Sequence, residues 1–187
     1  MAKTFDAIDE RLADFIGRQH VFFVGTAPAG PDGHVNVSPK GLDTFAVLGP
    51  REVAYLDLTG SGIETISHLR DNSRIVIMFC AFEGVPKILR LYGRGEVIEE
   101  EDPRFAGLRE LFGEFVGVRS VIRVELDRIA DSCGFGVPRL AYEGDRDTLA
   151  LWAQKKGEEG VQAYREEVND RSIDGLPGLP SVTPATR

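Results

Sequence analysis

The sequence predicts a mainly β fold, an antiparallel barrel with peripheral helices, and three features carry that prediction. Roughly six or seven apolar stretches with the two-residue period of strands lie between residues 19 and 130. Turn-forming residues separate most of these stretches, as at 28–33 (PAGPDG). A single short helix interrupts the series. This order favours an antiparallel barrel over a sheet of alternating strands and helices.

Length and charge limit the classes of function that the chain can have. The 187 residues are predicted to form one domain, with a barrel core at 19–130 and helices plus an irregular tail at 131–187. The net charge of −8 argues against binding to nucleic acids or anionic membranes, because both need a basic surface. No apolar run reaches the roughly 20 residues of a membrane span. The charged N-terminus (MAKTFDAIDERL) lacks the apolar stretch of a secretion signal, so we expect a cytoplasmic protein.

A helix and two strands open the chain. Apolar side chains recur at helical spacing over 6–15, which predicts an amphipathic helix. A strand follows at 21–26, and the turn at 28–33 leads into a second strand at 34–41 (HVNVSPKG). Pro39 cannot donate a ladder hydrogen bond, so this second strand is predicted to lie at a sheet edge or to be bulged.

The second strand alternates apolar and polar side chains. Val35 and Val37 point to one face, whereas Asn36 and Ser38 point to the other. Two interpretations of this polar face remain open. It lines a groove and hydrogen-bonds a flat polar heterocycle, with Lys40 projecting nearby, or it is the solvated side of an edge strand.

The stretch 53–79 predicts a strand, a turn, a short helix and another strand. TGSG at 59–62 breaks the first strand, and Ser61 is the predicted N-cap, with Glu64 completing a capping box. A helix that starts after a Gly/Ser-rich turn presents free backbone N–H groups and the positive end of its dipole, which can seat a phosphate. A turn that merely caps the helix is the other interpretation.

A long strand with two arginines on one face is predicted at 87–98. Arg90 and Arg94 form either a candidate anion site or a solvated pair, and Gly93 and Gly95 predict a bulge or a close backbone approach. The remaining predicted elements are a helix after Pro103, a last sheet strand at 118–129 and helices at 147–156 and 158–168.

The cysteines and histidines predict neither a disulfide framework nor a metal site. Cys80 lies in an apolar strand and is predicted to be a small core residue, whereas Cys133 lies in a predicted loop. The three histidines lie on separate elements without the spacing of metal ligands. His68 is predicted to lie on the short helix, where a position on the helix surface is the plainer interpretation and a position near a bound cofactor is the other.

Two stretches taken together carry a family resemblance. HVNVSPKG at 34–41 and YLDLTGSGIETISHLRDN at 55–72, followed by RIVIMF, resemble the FMN-binding split-barrel family of pyridoxamine 5'-phosphate oxidase. The likeness covers about 19–129, and the C-terminal stretch resembles an oxidase-related branch of that family. The resemblance implies a split antiparallel β-barrel and a homodimer that binds FMN non-covalently between its subunits.

The resemblance also implies a set of cofactor-binding residues. The strand at 34–41 would run under the flavin ring, with Lys40 near flavin and substrate, and the turn at 59–65 would grip the phosphate. The implied residues are Asn36, Val37, Ser38, Lys40, Thr59, Ser61, Gly62, Thr65 and Arg90. No catalytic residue and no metal ligand is identified.

The chain departs from the oxidase pattern at three points. It has Val35 where the oxidase has an arginine, Glu64 and Thr65 where the oxidase has an Arg-Lys pair, and an ending (SVTPATR) without the basic signature that holds pyridoxal phosphate. These departures argue against the vitamin itself as substrate. We expect an FMN-dependent oxidoreductase that acts on a small molecule. The alternatives are a non-catalytic flavin-storage protein, a relative that uses deazaflavin or haem, and a plain interaction domain.

Overall fold

The computed structural model describes residues 3–179. The predicted tail beyond 179 lies outside the described residues. In chain order the elements are β1 (Thr4–Phe5), α1 (Glu10–Gly17), β2 (Phe22–Thr26), β3 (Asn36–Lys40), β4 (Phe45–Gly49), β5 (Glu52–Leu58), α2 (Glu64–Asn72), β6 (Arg74–Cys80), β7 (Ile88–Ile98), α3 (Phe105–Arg109), β8 (Val118–Ser132) and α4 (Thr148–Val168).

One antiparallel sheet of eight strands confirms the predicted fold class. Hydrogen-bonded neighbours follow the order β3-β2-β6-β7-β8-β5-β4, and β1 pairs with β8. Within residues 3–179, β3 and β4 each pair along one edge only, so the barrel is split between them. β3 runs against β2 from Asn36 opposite Thr26 to Lys40 opposite Phe22, which makes β3 the edge strand that Pro39 predicts.

Two apolar clusters hold the sheet together. The larger cluster fills the barrel interior, where Leu12, Phe15 and Ile16 of α1 pack against strand side chains. The smaller cluster lies on the other face of β5 and β8 and includes Leu56 and Phe112. Burying one such side chain contributes roughly 1.5–3 kcal/mol, so these faces supply most of the stabilisation that positions the strands.

A β-bulge interrupts β7 where its glycines predict one. The register of β7 against β8 shifts between Tyr92 and Gly93. A Cβ at Gly93 would lie 2.0 Å from the Glu125 carbonyl oxygen, so only glycine allows the two backbones to approach this closely.

The predicted capping box of α2 is wrong. Ile63 is the N-cap residue, and no side chain among residues 3–179 accepts a hydrogen bond from the first N–H groups of the helix. Glu64 instead accepts the N–H of Ile173 at 3.3 Å, and Ser61 is exposed. The prediction failed because the competing donor lies 109 residues away along the chain.

Other helix boundaries differ from the predictions in smaller ways. α1 begins at Glu10 rather than near residue 6, because the Asp9 side chain accepts the Leu12 N–H at 2.8 Å and caps the helix there. The two predicted C-terminal helices are the halves of α4, which is kinked at Gly157 with φ of 67°. Among residues 3–179, no helix combines the length and the apolar character needed to cross a membrane.

Candidate functional site

β3 directs a row of polar side chains towards the barrel interior. Asn36, Ser38 and Lys40 are half-buried, whereas Val35 and Val37 on the opposite face are 73% and 61% exposed. The predicted alternation is therefore confirmed. The polar residues are the inward set, which is costly unless each finds a partner.

Asn36 and Ser38 find partners at the start of α2. The Asn36 side-chain amide donates to Ser38 Oγ at 3.1 Å and to Thr65 Oγ1 at 3.3 Å. Thr65 lies in the first turn of α2 and is buried. Three of the candidate residues thus form one hydrogen-bonded cluster between the edge strand and the helix.

Lys40, the last residue of this row, belongs to a buried ion-pair network. Its ammonium donates to Asp57 Oδ1 at 2.9 Å, and Arg119 Nε donates to Asp57 Oδ2 at 2.7 Å. Burial alone would raise the pKa of Asp57, but the charges of Arg119 and Lys40 outweigh it and hold that pKa well below its usual range. Two cations around one carboxylate leave a local excess of positive charge beneath β3.

The turn between β5 and α2 has its carbonyl groups occupied and its N–H groups free. Arg119 donates to the Gly62 carbonyl at 2.9 Å, and the Asn169 side chain donates to the Gly60 carbonyl at 3.1 Å. The N–H groups of 60–66 have no hydrogen-bond acceptor within the described part of the chain. A run of free N–H groups at the start of a helix is the arrangement that binds anions.

The segment 169–179 folds back over this turn. Asp174 accepts from the His34 backbone N–H at 2.8 Å and lies 2.6 Å from His34 Nδ1, which ties the segment to the residues before β3. Gly178 lies against Asn169 and Ile63 so closely that a Cβ there would be 2.0 Å from the Asn169 carbonyl oxygen. Arg171 is exposed and donates to the Gly175 carbonyl at 3.1 Å.

A cavity of about 660 Å³ adjoins Lys40 and the turn. Lys40, Thr59 and Ser61 line it on one side. The opposite side comes from α4, where Trp152 and Tyr164 pack edge-on with ring centroids 4.9 Å apart. Its size falls within the roughly 300–1,000 Å³ of small-molecule sites.

The remaining candidate residues lie apart from this cavity. Val37 faces outward from β3, and Gly62 lies in the exposed turn beside the helix start. Arg90 lies on the outer face of β7, three strands from β3, and donates to Ser132 Oγ at 3.0 Å. With adjacent strands about 4.8 Å apart, Arg90 lies some 14 Å from β3 within one chain. Its role in cofactor binding stays a prediction.

Sequence reasoning missed three residues that organise the site. Asp57 could have been recognised as the acid within the apolar run 53–58, and Arg119 as its alternating counterpart on β8. No sequence pattern indicates the role of Asn169, because its hydrogen-bond partners Arg119 and Gly60 lie 50 and 109 residues away along the chain.

The predicted surface position of His68 is wrong, because this side chain is fully buried. Its Nδ1 lies 3.0 Å from Thr26 Oγ1, and its Nε2 has no partner within residues 3–179. Burial lowers the pKa of His68. The helical pattern placed His68 correctly on α2 but did not reveal that β2 covers that side. No group of three His, Cys, Asp or Glu side chains in the described residues is arranged to hold a metal ion.

Comparisons with known proteins agree on one family. A family model described as pyridoxamine 5'-phosphate oxidase matches residues 8–133, which include β2 to β8 and the whole site between β3 and α2. The pyridoxamine 5'-phosphate oxidase family protein ustO of Aspergillus flavus is 43% identical over 197 residues, which cover 95% of this chain and 78% of the relative.

Two solved structures share the fold. HupZ of Group A Streptococcus superposes with a TM-score of 0.54 at 24% identity, over 65% of this chain and 91% of its own. A pyridoxamine 5'-phosphate oxidase-like protein of Lactobacillus delbrueckii gives a TM-score of 0.52 at 21% identity, over 68% of this chain and 98% of its own. At these identities the two likenesses show the split-barrel fold alone.

Proposed function

The chain belongs to the pyridoxamine 5'-phosphate oxidase family, and from that premise we propose that it binds FMN non-covalently and serves as an oxidoreductase for a small molecule. The main observation in support of this proposal is the run of free N–H groups at 60–66 beside the ammonium of Lys40. When bound, FMN supplies hydride and single-electron transfer, while the protein positions and shields it.

The residues present fit a phosphate without the oxidase arginine and lysine. The N–H groups of 60–66 and the positive end of the α2 dipole supply donors and charge. Ser61 and Thr65 add hydroxyl groups, and no GxGxxG loop is present to seat a pyrophosphate. Glu64 is the acid in the first turn, and its charge opposes a phosphate there. Its Oε1 accepts the N–H of Ile173, and its Oε2 lies beside Gly62, 2.6 Å from where a Cβ of residue 62 would be.

The polar inner row of β3 fits the ring of the same cofactor. Asn36 and Ser38 offer a carbonyl, an amide and a hydroxyl along one line, and Lys40 adds positive charge at its end. An isoalloxazine ring carries both donors and acceptors on its polar edge, so such a row can pair with it. Asp57, which Arg119 holds in place, binds the Lys40 ammonium from beneath.

We further propose that the protein is a homodimer with the cofactor at the interface. Val37 and Pro39 on the outer face of β3, together with Val35 just before the strand, expose an apolar strip next to the candidate site. Exposed contiguous apolar surface is typical of an interaction site, and a second copy would cover it by two-fold symmetry.

Titration with FMN and riboflavin tests the proposal, because the two ligands differ only in the phosphate. We expect FMN to bind at least tenfold more tightly than riboflavin, and Lys40→Ala to weaken FMN binding while the exposed control Lys155→Ala leaves it unchanged.

Sedimentation of the same samples at micromolar concentration should report a dimer. Equal affinity for both ligands would exclude the phosphate site, and a monomer that retains FMN would exclude the shared interface.

A further inference from the structure

The segment 169–179 packs against the proposed phosphate site although it lies outside the residues that match the family model, which end at 133. Its first residue, Asn169, directly follows α4 and is fully buried. Hydrogen bonds within the segment form a compact loop, since the Gly178 N–H donates to the Asp170 carbonyl at 2.7 Å and the Leu179 N–H donates to the Asn169 carbonyl at 3.0 Å. This loop fixes the backbone of Asn169 beside the turn between β5 and α2.

The Asn169 side chain links β8 to that turn. Its Oδ1 accepts from Arg119 Nη1 at 2.9 Å, and its amide donates to the Gly60 carbonyl at 3.1 Å. The same Arg119 nitrogen donates to the Gly62 carbonyl at 2.9 Å. Buried polar groups that share partners in this way hold one geometry, because each lost hydrogen bond would leave a buried group unpaired. The two side chains therefore keep both carbonyl groups on their own side of the turn.

The orientation of these carbonyl groups determines where the following N–H groups point. In a trans peptide unit the C=O and the N–H point in opposite directions, and residues 3–179 contain no cis peptide bond. The Ser61 N–H shares its peptide unit with the Gly60 carbonyl, and the Ile63 N–H shares its unit with the Gly62 carbonyl. Both N–H groups thus point away from the two side chains, and neither has an acceptor within the described part of the chain.

Two further contacts hold the segment over the site. The Ile173 N–H donates to Glu64 Oε1 at 3.3 Å, at the start of α2. Asp174 accepts the His34 N–H at 2.8 Å, just before β3. The segment therefore bridges α2 and β3, which form the two sides of the proposed site, and both sides fix its position.

Orientation of the N–H groups matters more here than in the oxidase pattern. This chain has Glu64 and Thr65 where that pattern has an Arg-Lys pair, so a phosphate at the turn depends largely on backbone donors. Hydrogen bonds weaken steeply when the donor does not point at the acceptor. Whatever holds the peptide units of the turn in place therefore helps to set the affinity for the phosphate.

We propose that Asn169 is a positioning residue for the phosphate of the bound flavin. It acts through the turn rather than by contact with the ligand, because it holds the peptide units of 60–63 with their N–H groups directed away from itself and from Arg119. A segment outside the matched residues thus takes over part of the role of the Arg-Lys pair. This inference rests on the proposed binding of FMN.

Fluorescence titration with FMN and riboflavin tests Asn169, because only FMN carries the phosphate. In Asn169→Ala the preference for FMN over riboflavin should fall at least fivefold relative to the original protein. The matched control is Gln162→Ala, which removes a side-chain amide of α4 that donates to Glu166 Oε1 at 3.2 Å, and its preference should be unchanged. A merely structural role of Asn169 would weaken the binding of both ligands equally, so an unchanged preference in Asn169→Ala would overturn the inference.

A second variant covers the case in which Asn169→Ala does not fold. Asn169→Leu keeps roughly the shape of the side chain and removes both of its hydrogen bonds without changing the charge. Retained riboflavin binding shows that this variant is folded, and its preference for FMN should fall by a similar factor. Full preference for FMN in Asn169→Leu would contradict the positioning role.

The original protein separates failure of this inference from failure of the proposed function. If it binds riboflavin as tightly as FMN, the phosphate site is absent, and the proposed function and the role of Asn169 are both overturned. If it prefers FMN and Asn169→Ala keeps that preference, the phosphate site stands and the positioning role alone is overturned.

Discussion

The two edge strands, β3 and β4, hold equivalent positions at the split of the barrel but present opposite chemistry to its interior. β3 directs Asn36, Ser38 and Lys40 inward. β4 packs Phe45 into the core, with its ring centroid 5.1 Å from that of Phe22 and 5.0 Å from that of Phe79 in edge-on contacts.

The comparison distinguishes an edge strand that only covers the core from one whose inward side chains can bind a ligand. An edge that served only to cover the core would carry apolar side chains inward, as β4 does, because polar groups lose hydration there. The inward polar row of β3 is instead held by Thr65 and by the Asp57 network. This arrangement keeps the polar groups fixed and half-buried, with Lys40 at the cavity of about 660 Å³, which favours ligand binding at the β3 edge.

Removal of Asp57 should have the largest effect on stability. Asp57→Ala leaves the cations of Arg119 and Lys40 without their shared carboxylate, and losing one partner of a buried ion pair costs about 3–5 kcal/mol. Urea unfolding followed by circular dichroism measures this loss.

The control for Asp57 lies on the same two strands. Glu52 of β5 pairs with Arg123 of β8 at 2.6 Å, but both side chains are about one-third exposed. Glu52→Ala should therefore cost at most about 1 kcal/mol. Similar losses in the two variants would show that the network under β3 is no more important than a surface pair.

Truncation of Phe45 should follow in size. Phe45→Ala removes both edge-on ring contacts and leaves part of the core unfilled, and because the ring is only partly buried we expect about 2–3 kcal/mol rather than the larger loss at a fully buried phenylalanine. The FMN dissociation constant should stay within about twofold of the original. A large loss of FMN affinity, measured by fluorescence titration, would contradict the division between the two edges.

Local patterns predicted the parts of the site that lie within one element. The two-residue period identified the polar row of β3, and the glycines of β7 identified its bulge. In both cases the determining interaction is the geometry of a strand, which the order of residues expresses directly.

Contacts across long sequence distances account for what was missed. Asp57 and Arg119 are 62 residues apart, so neither reveals the other. The capping box failed because Ile173 competes for Glu64, and His68 was misplaced because β2 covers it. Such contacts depend on how the elements pack, which no short pattern encodes.

Acid sensitivity should be the smallest measurable difference between the two edges, and Asp57 determines its sign. The pKa of Asp57 is lower in the folded protein than the value of about 3.9 in an unfolded chain. The unfolded chain therefore takes up the proton first. The contribution of Asp57 to stability is complete above about pH 4 and is lost as the pH falls towards the folded pKa. Unfolding measured between about pH 6 and pH 3 records only the beginning of this loss.

Asp57→Asn isolates the effect because it keeps the shape of the side chain and removes the titration. The difference in unfolding free energy between the original protein and Asp57→Asn should be constant down to about pH 4.5 and should shrink below about pH 4. Hydrogen bonds with Arg104 and His34 lower the pKa values of Asp102 and Asp174, but these acids titrate in both proteins and cancel in the difference. A difference that stays constant to pH 3 would show that the ionised form of Asp57 does not stabilise the β3 edge. That edge would then depend on packing, as β4 does.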